Sequence, residues 1–362
     1  MVDFSLTEEQ KLLRQTVREF AAAELTPHAR EWDEKQEFPP EVFDKLGEMG
    51  LLGVVFPTEY GGAGLGALDY ALVMEELARA EAGVALSVAA HHSLCSGHIY
   101  LAGSEDQKQR LLVPLAQGDK VGCWGLTESS AGSDAGGTKT TAVRDGEHWV
   151  LNGSKQFITN GGVADIAVVM AVTDRSKAKK GISAFVVERG TPGLAIAPQP
   201  AMGLRAAATC RVTLRDVRVA DDAMLEHDHG ALVDGARVAW CALAVGTGQA
   251  VLDHVISYCN ERVAFGEPIS HRQAVAFAIA NLAIELEAMR LLTWRAAAVA
   301  ERGAPFAHEA ALARRFCATR AVQLGNDGVQ LLGGHGFVKE HPVERWYRDL
   351  RAVGVMEGAL LA

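Results

Sequence analysis

The spacing of apolar residues changes twice along this chain, from helical to strand-like near residue 120 and back to helical after about residue 228. A helical–strand–helical order without strand–helix alternation excludes a doubly wound parallel sheet and predicts an α+β chain of three parts. The expected boundaries are 1–118 for a helical domain, 119–227 for a β domain and 228–362 for a helix bundle. At roughly 100–200 residues per domain, the length suits two or three domains.

Thr7-Glu8-Glu9-Gln10 reads as a capping-box start, followed by Leu13, Val17, Phe20 and Ala21 at helical spacing. An amphipathic run covers Leu68 to Ala80, and Ser104-Glu105-Asp106-Gln107 opens a further helix that Pro114 must end or kink. In the middle third Asp145-Gly146 is a turn signal. Asn152-Gly153, between Trp149-Val150-Leu151 and Gln156-Phe157-Ile158, predicts a tight hairpin. Strands are expected at 166–172, 182–188, 194–198 and 211–219, in an antiparallel sheet or barrel. In the last third Val275, Ile279, Leu282, Leu286 and Met289 step by four and three, as the seam of a packed bundle does.

Lys and Arg number 35 against 45 Asp and Glu, a net charge of −10, which disfavours nucleic acid and anionic lipid as partners. The six cysteines form no CxxC pair, as expected of buried thiols in a reducing compartment, and no zinc site is expected. No stretch of about 18 residues is uncharged and apolar, and residues 1–9 are acidic, so the expectation is a cytoplasmic chain without membrane span or signal peptide.

Three segments have the texture of ligand loops. Gly125 to Gly137 offers backbone N–H groups and the hydroxyls of Thr127 and Ser133. Gln330-Leu331-Leu332-Gly333-Gly334-His335-Gly336-Phe337 follows a helix, so it is no dinucleotide fingerprint. Arg262 to Ile269, with Gln273 beyond, supplies a guanidinium and an aromatic ring. Taken singly, each reads equally as a turn, a helix stop or a loop. His91, His92 and His98 lack cysteine or carboxylate neighbours at ligand spacing and read as helix packing or polar surface, not as a metal site.

Together these segments resemble the acyl-CoA dehydrogenase family. Gly125 to Gly137 resembles its first signature, and Gln330 to Phe337 with Arg348-Asp349 its second. Tyr60-Gly61-Gly62-Ala63-Gly64, Phe157-Ile158-Thr159-Asn160 and Glu357-Gly358 extend the likeness over nearly the whole chain. The resemblance implies a helical domain, a β domain and a C-terminal four-helix bundle. It implies noncovalent FAD, with Trp124, Leu126, Thr127, Gly132 and Ser133 lining the flavin and Phe157, Ile158 and Thr159 beside its rings. Arg262, Phe265, Gln273, Gln330, Leu331, Gly333 and Gly334 match residues that grip the FAD of a neighbouring subunit, which implies a homotetramer. Asp234, Arg237 and Ser133 match the acyl-CoA cleft, as does Gly358, and Glu357 matches the catalytic base. The alternative base position of some members is Ala236 here, which takes no proton.

By this resemblance Glu357 removes the α-proton of an acyl-CoA, flavin N5 takes the β-hydride, and electron-transferring flavoprotein receives the electrons in a step of fatty-acid β-oxidation. Ser93-Leu94, residues 103–109 and residues 291–295 look most like short-chain, butyryl-type members, so a short or branched acyl group is expected. Two departures stand out. Ser129-Ser130 replaces the family's Pro-Gly, which is expected to loosen that turn. Ala359-Leu360-Leu361-Ala362 replaces the threonine and further helix that follow Glu-Gly in the family. The resemblance therefore also accommodates an impaired relative that binds without turnover, or an oxygen-using oxidase of the same fold.

Overall fold

The computed structural model describes residues 4–225 and 230–356. Thr7 caps the first helix as expected. Its hydroxyl accepts from the Gln10 N–H (3.2 Å) and its own N–H donates to the Gln10 side chain (3.1 Å), opening α1 (Glu8–Glu24). The segments α2 (Ala29–Lys35) and α3 (Pro40–Glu48) lead to α4 (Ala67–Ala80).

The run read as amphipathic is in fact buried nearly all round, from Tyr70 to Ala78, because α4 is packed between α1 and the C-terminal bundle. Its two buried acids are met by arginines from both sides: Arg14 and Arg18 reach Glu76 at 2.6 and 2.7 Å, and Arg290 reaches Glu75 at 3.3 Å.

From α5 (Ala82–Ala89) the chain passes through a π-helical stretch, Ala90–Ser96, into α6 (Gly97–Ala102). Ser104 caps α7 (Glu105–Gln107) as the sequence predicts. Pro114 does not stop the helix. A widened π turn at Lys108–Leu112 accommodates the missing N–H and the ring, and α8 (Val113–Gln117) continues beyond it.

The sheet comprises β1 (Gly122–Gly125), β2 (Thr141–Asp145), β3 (His148–Ile158), β4 (Ile166–Val172), β5 (Ile182–Glu188), β6 (Leu194–Pro198), β7 (Cys210–Ala220) and β8 (Met224–Leu225). Its order is β6-β7-β3-β2-β4-β5-β8, with β1 beside β4. It is mixed and open, neither wholly antiparallel nor a barrel, since β1 runs parallel to β4 and β2 meets β4 in parallel at Thr141 and Val172. A strand entered from a helix, as β1 is, is free of the hairpin geometry that imposes antiparallel pairing.

Asn152-Gly153 makes no hairpin. The turn is at Asp145-Gly146, where Asp145 pairs with His148 and Gly146 has φ 65°. Asn152-Gly153 lies inside β3, at a bulge where the register against β7 slips. The Asn152 side chain is occupied across the sheet, donating to Asp216 at 3.0 Å and accepting its N–H at 2.9 Å. A Cβ on Gly153 would stand 2.3 Å from the Thr140 hydroxyl, so the close approach of two backbones requires the glycine.

The C-terminal bundle is formed by α9 (Gly230–Glu261), α10 (Gln273–Glu301), α11 (Ala307–Leu332) and, beyond the single turn α12 (Gly334–Phe337), α13 (Val343–Val353). Between α9 and α10 a short hairpin pairs β9 (Val263–Ala264) with β10 (Glu267–Pro268). Leu282, Leu286 and Met289 of the expected seam are buried, with Val275 and Ile279 packed at its edge. Among the described residues, Leu232–Glu261 alone is long and apolar enough to cross a membrane by length and composition, with a mean hydropathy of 1.2. Its most apolar window is 72% buried inside the protein, which makes it a core helix. One hydrophobic core runs from Val17 and Leu77 through Leu243 to Leu286, so the first and last thirds of the sequence share an interior.

Candidate active site

The glycine-rich loop after β1 is held by a buried ion pair. Lys155, on β3, has no exposed surface; its ammonium donates to Glu128 Oε1 at 2.7 Å and to the Leu126 carbonyl at 3.0 Å. Glu128 also accepts from the Lys139 N–H (2.8 Å), the Thr140 N–H (2.9 Å) and the Thr140 hydroxyl (2.6 Å). Burial by itself raises the Glu128 carboxyl, but these donors outweigh it and bring it down to about 2. Burial acts oppositely on Lys155, which falls below its ordinary value.

The loop is thus fastened at both ends and open in the middle. The Glu128 and Ala131 backbones exchange hydrogen bonds at 3.0 and 3.2 Å, closing the Ser129-Ser130 turn. Gly132 and Ser133 stand exposed beyond it, with nothing within 4 Å of a Cβ added to Gly132.

The end of β3 is bound to the same loop, since the Gln156 N–H donates to the Thr127 carbonyl at 2.8 Å. A second bulge there leaves Phe157 with φ 58° and its ring 61% exposed. A bulged aromatic at positive φ is a strained conformation, and the bulge re-aims the side chain outward. Ile158 is buried beneath, and Thr159 is half-buried beside it. Asn160, buried at φ 64°, donates to the Ser87 carbonyl (2.9 Å) and the Gly122 carbonyl (3.1 Å), and its own Oδ1 has no partner among the described residues.

The three histidines pack the helical side of this region. The Trp124 indole donates to His98 Nδ1 at 3.0 Å. His91 accepts the Gly122 N–H on Nδ1 (3.0 Å), so its Nε2 donates to the Leu115 carbonyl (3.0 Å), and burial keeps it neutral with a pKa lowered to about 4. Among the described residues no group of three or more His, Cys, Asp or Glu is placed to hold a metal.

Trp124, through His98, adjoins α6, and a Cβ on Gly97 of α6 would stand 3.2 Å from Leu232 at the start of α9. Asp234 and Arg237 follow within two turns, half-buried and paired at 2.8 Å, with Ala236 buried between them. The chain returns to this end of α9 at its last described residues. Arg314 of α11 lies over the Trp240 ring (5.6 Å) and donates to the Met356 carbonyl (2.5 Å). Glu357 and Gly358, the residues that follow, lie outside the described residues.

The Tyr347-Arg348-Asp349 motif anchors α13. Arg348 makes a two-pronged pair with Asp33 of α2 (2.8 and 2.7 Å), and Asp349 accepts the Leu204 N–H at 2.6 Å. Burial, with Asp33 nearby, pushes Asp349 up to about 6, and burial with Asp349 nearby pushes Glu81 up to about 7.

The other predicted residues gather at the far end of α9. Arg262 and Phe265 lie on the β9–β10 hairpin; Phe265 and Gly266 form its turn at φ 56° and 87°, and the Phe265 ring is 94% exposed under the Arg272 guanidinium. Gln273 opens α10, exposed. Gln330, Gly333 and Gly334 are exposed at the end of α11, where Gly333 is the helix stop at φ 57° and Leu331 is half-buried. The Tyr258 hydroxyl, reaching the Leu332 carbonyl at 3.5 Å, ties this loop to α9. From Leu232 to Tyr258 is about 39 Å of helix at 1.5 Å per residue, so one chain does not bring its two groups together.

The residues present fit FAD in two halves. An open glycine and hydroxyl loop faces an outward aromatic and a half-buried threonine at one end, and an exposed guanidinium, a phenyl ring and bare glycines stand at the other. Glu128, Lys155, Asn160 and Asp33 had no assigned role in the sequence reading. Their signal was a lysine on an otherwise inward-facing strand position and a glutamate inside a small-residue loop, each in need of an opposite charge.

Known proteins share this order of domains. The acyl-CoA dehydrogenase N-terminal, middle and C-terminal domains match residues 7–119, 123–217 and 230–360. The short-chain specific acyl-CoA dehydrogenase of Clostridium acetobutylicum is 41% identical over 364 residues, covering 99% of this chain and 96% of that protein. Butyryl-CoA dehydrogenase of Megasphaera elsdenii superposes with a TM-score of 0.95 at 38% identity, covering 98% of this chain and 96% of that one. A solved chain described under the electron transferring flavoprotein of Acidaminococcus fermentans superposes with a TM-score of 0.96 at 39% identity, covering 98% and 96%. With matched domains in sequence order along nearly its whole length, this chain belongs to the acyl-CoA dehydrogenase family.

Proposed function

We propose that this protein dehydrogenates a short-chain acyl-CoA between its α and β carbons, with Glu357 as the base. The observation that carries the reading is the convergence at one end of α9. Trp124, at the head of the loop of Thr127 and Ser133, bonds His98 of α6, Gly97 of α6 abuts Leu232 two residues before Asp234, and Arg314 joins Trp240 of α9 to the carbonyl of Met356, next in sequence to Glu357. The short-chain and butyryl relatives support the choice of acyl length.

Bound FAD supplies the acceptor for the β-hydride. Glu357 takes the α-proton, a task for a carboxylate whose basicity rises as substrate and protein exclude water. Arg237, held by Asp234, presents a fixed cation at the cleft, and Ser133 offers a hydroxyl from the open loop.

The two half-sites, about 39 Å apart along α9, support an assembly in which the hairpin of one subunit completes the FAD site of another. We infer the family's homotetramer, electron-transferring flavoprotein as acceptor, and a cytoplasmic location. The described flavoprotein neighbour supports the acceptor, and six buried cysteines in no disulfide support the compartment.

The test is anaerobic titration with butyryl-CoA, following the oxidised flavin band, beside Glu357→Gln. Bleaching in the wild type and its loss by at least ~100-fold in rate in the variant is the expected result. A flavin that no acyl-CoA bleaches overturns the reading. Oxygen consumption without an acceptor protein would identify an oxidase instead.

A further inference from the structure

Arg314 is 2% exposed in the middle of α11, and a guanidinium so placed persists only where its charge and donors are met. Its Nη2 donates to two carbonyls, Val353 at 2.7 Å and Met356 at 2.5 Å. Its planar group also lies 5.6 Å over the Trp240 ring. Val353 is the last residue of α13, whose final carbonyls have no partner within the helix, so the first bond is a side-chain cap of ordinary kind. The second bond is not needed for that cap. It reaches three residues beyond the helix end, to the residue that immediately precedes Glu357. Trp240, three residues after Arg237, brings the same guanidinium against the face of α9 that carries the cleft pair.

We propose that Arg314 is the positioning residue for the base: by gripping Val353 and Met356 together it fixes where the chain enters Glu357 relative to α9. This rests on the reading of Glu357 as base. A planar fork holds two acceptors in a set direction, whereas an ammonium of similar charge holds them without fixing the plane. A base displaced by about 1 Å keeps its substrate but loses rate, because proton transfer depends on orientation more steeply than binding does.

The experiment compares wild type, Arg314→Gln and Arg314→Lys as FAD-loaded proteins, measuring flavin content, oligomeric state, and kcat and KM for butyryl-CoA. Expected are a fall in kcat of at least ~10-fold in Arg314→Gln, with KM within ~2-fold and flavin content unchanged, and partial recovery of kcat in Arg314→Lys. A flavin-loaded Arg314→Gln with wild-type kcat overturns the proposal. So does a loss confined to KM, or failure of both variants to fold or hold flavin, since the residue would then serve the cleft or the core and not the base. A wild type that no acyl-CoA reduces would instead refute the dehydrogenase reading, which separates the two failures.

Discussion

The ammonium of Lys155 lies 2.7 Å from the Glu128 carboxylate, and the pair fastens the glycine-rich loop to the sheet. Lys155→Met should therefore act on the loop before it acts on the fold. It leaves Glu128 buried with two N–H groups and one hydroxyl but no counter-charge, a cost of about 3–5 kcal/mol. The expected outcome is a folded protein that has lost most of its flavin, read from the ratio of flavin to protein absorbance. Retained flavin with an unchanged melting temperature would contradict the role given to this pair.

The acids of the site titrate in opposite directions. Glu128, held at about 2 against an ordinary 4.5, stabilises the folded state fully above pH 4.5 and progressively less as pH falls towards 2. The lowered value of Lys155 works against that contribution. Glu81, raised from 4.5 to about 7, does the reverse: its contribution is complete below pH 4.5 and is lost as pH rises to 7. Melting temperatures between pH 3 and 9 should show both limbs, with Glu128→Gln flattening the acid one and Glu81→Gln the decline between 4.5 and 7.

Gly153→Ala places a methyl 2.3 Å from the Thr140 hydroxyl and 2.7 Å from the Thr140 Cα, where backbone must shift. A loss of roughly 2–3 kcal/mol is expected from such overpacking, measured as a lower urea midpoint. Because Thr140 also donates to Glu128, flavin release should accompany it.

Phe265→Ala removes a ring that touches little of its own chain, 94% exposed at a positive-φ turn. The single chain should keep its stability while assembly and FAD retention weaken, by about 2 kcal/mol if the ring is an interface anchor. Light scattering after size exclusion, beside flavin content, checks both. Unchanged assembly and flavin content would show that the hairpin does not serve a neighbouring subunit's site.

Arg348→Ala breaks a two-pronged pair and leaves buried Asp33 with Arg205, at 3.8 Å, as its remaining cation, so the cost should stay below the about 3–5 kcal/mol of a wholly unpaired buried charge. The loss should appear as thermal destabilisation of the whole chain, because the pair joins α2 to α13.

What the sequence by itself determined was whatever rests on local chemistry. The Thr7 and Ser104 capping boxes involve contacts three residues apart, and the strands 166–172, 182–188 and 194–198 are bounded by their own turn residues. Both glycine loops declared themselves by composition, and the family resemblance singled out Thr127, Phe157, Arg262 and Gly333 as expected FAD contacts. Only the tertiary structure decided what depends on a partner distant in sequence. Asn152-Gly153 carries a hairpin signal, yet Asp216 takes up the asparagine and Thr140 presses on the glycine, so a bulge wins. The run from Leu68 to Ala80 has polar residues enough for an exposed face, but arginines from α1 and α10 let Glu75 and Glu76 be buried. Glu128 with Lys155, Asp33 with Arg348 and Arg314 with Met356 are separated by 27, 315 and 42 residues. A charge in a sequence states that it needs a counter-charge or water, and only the folded chain determines which of the two it meets.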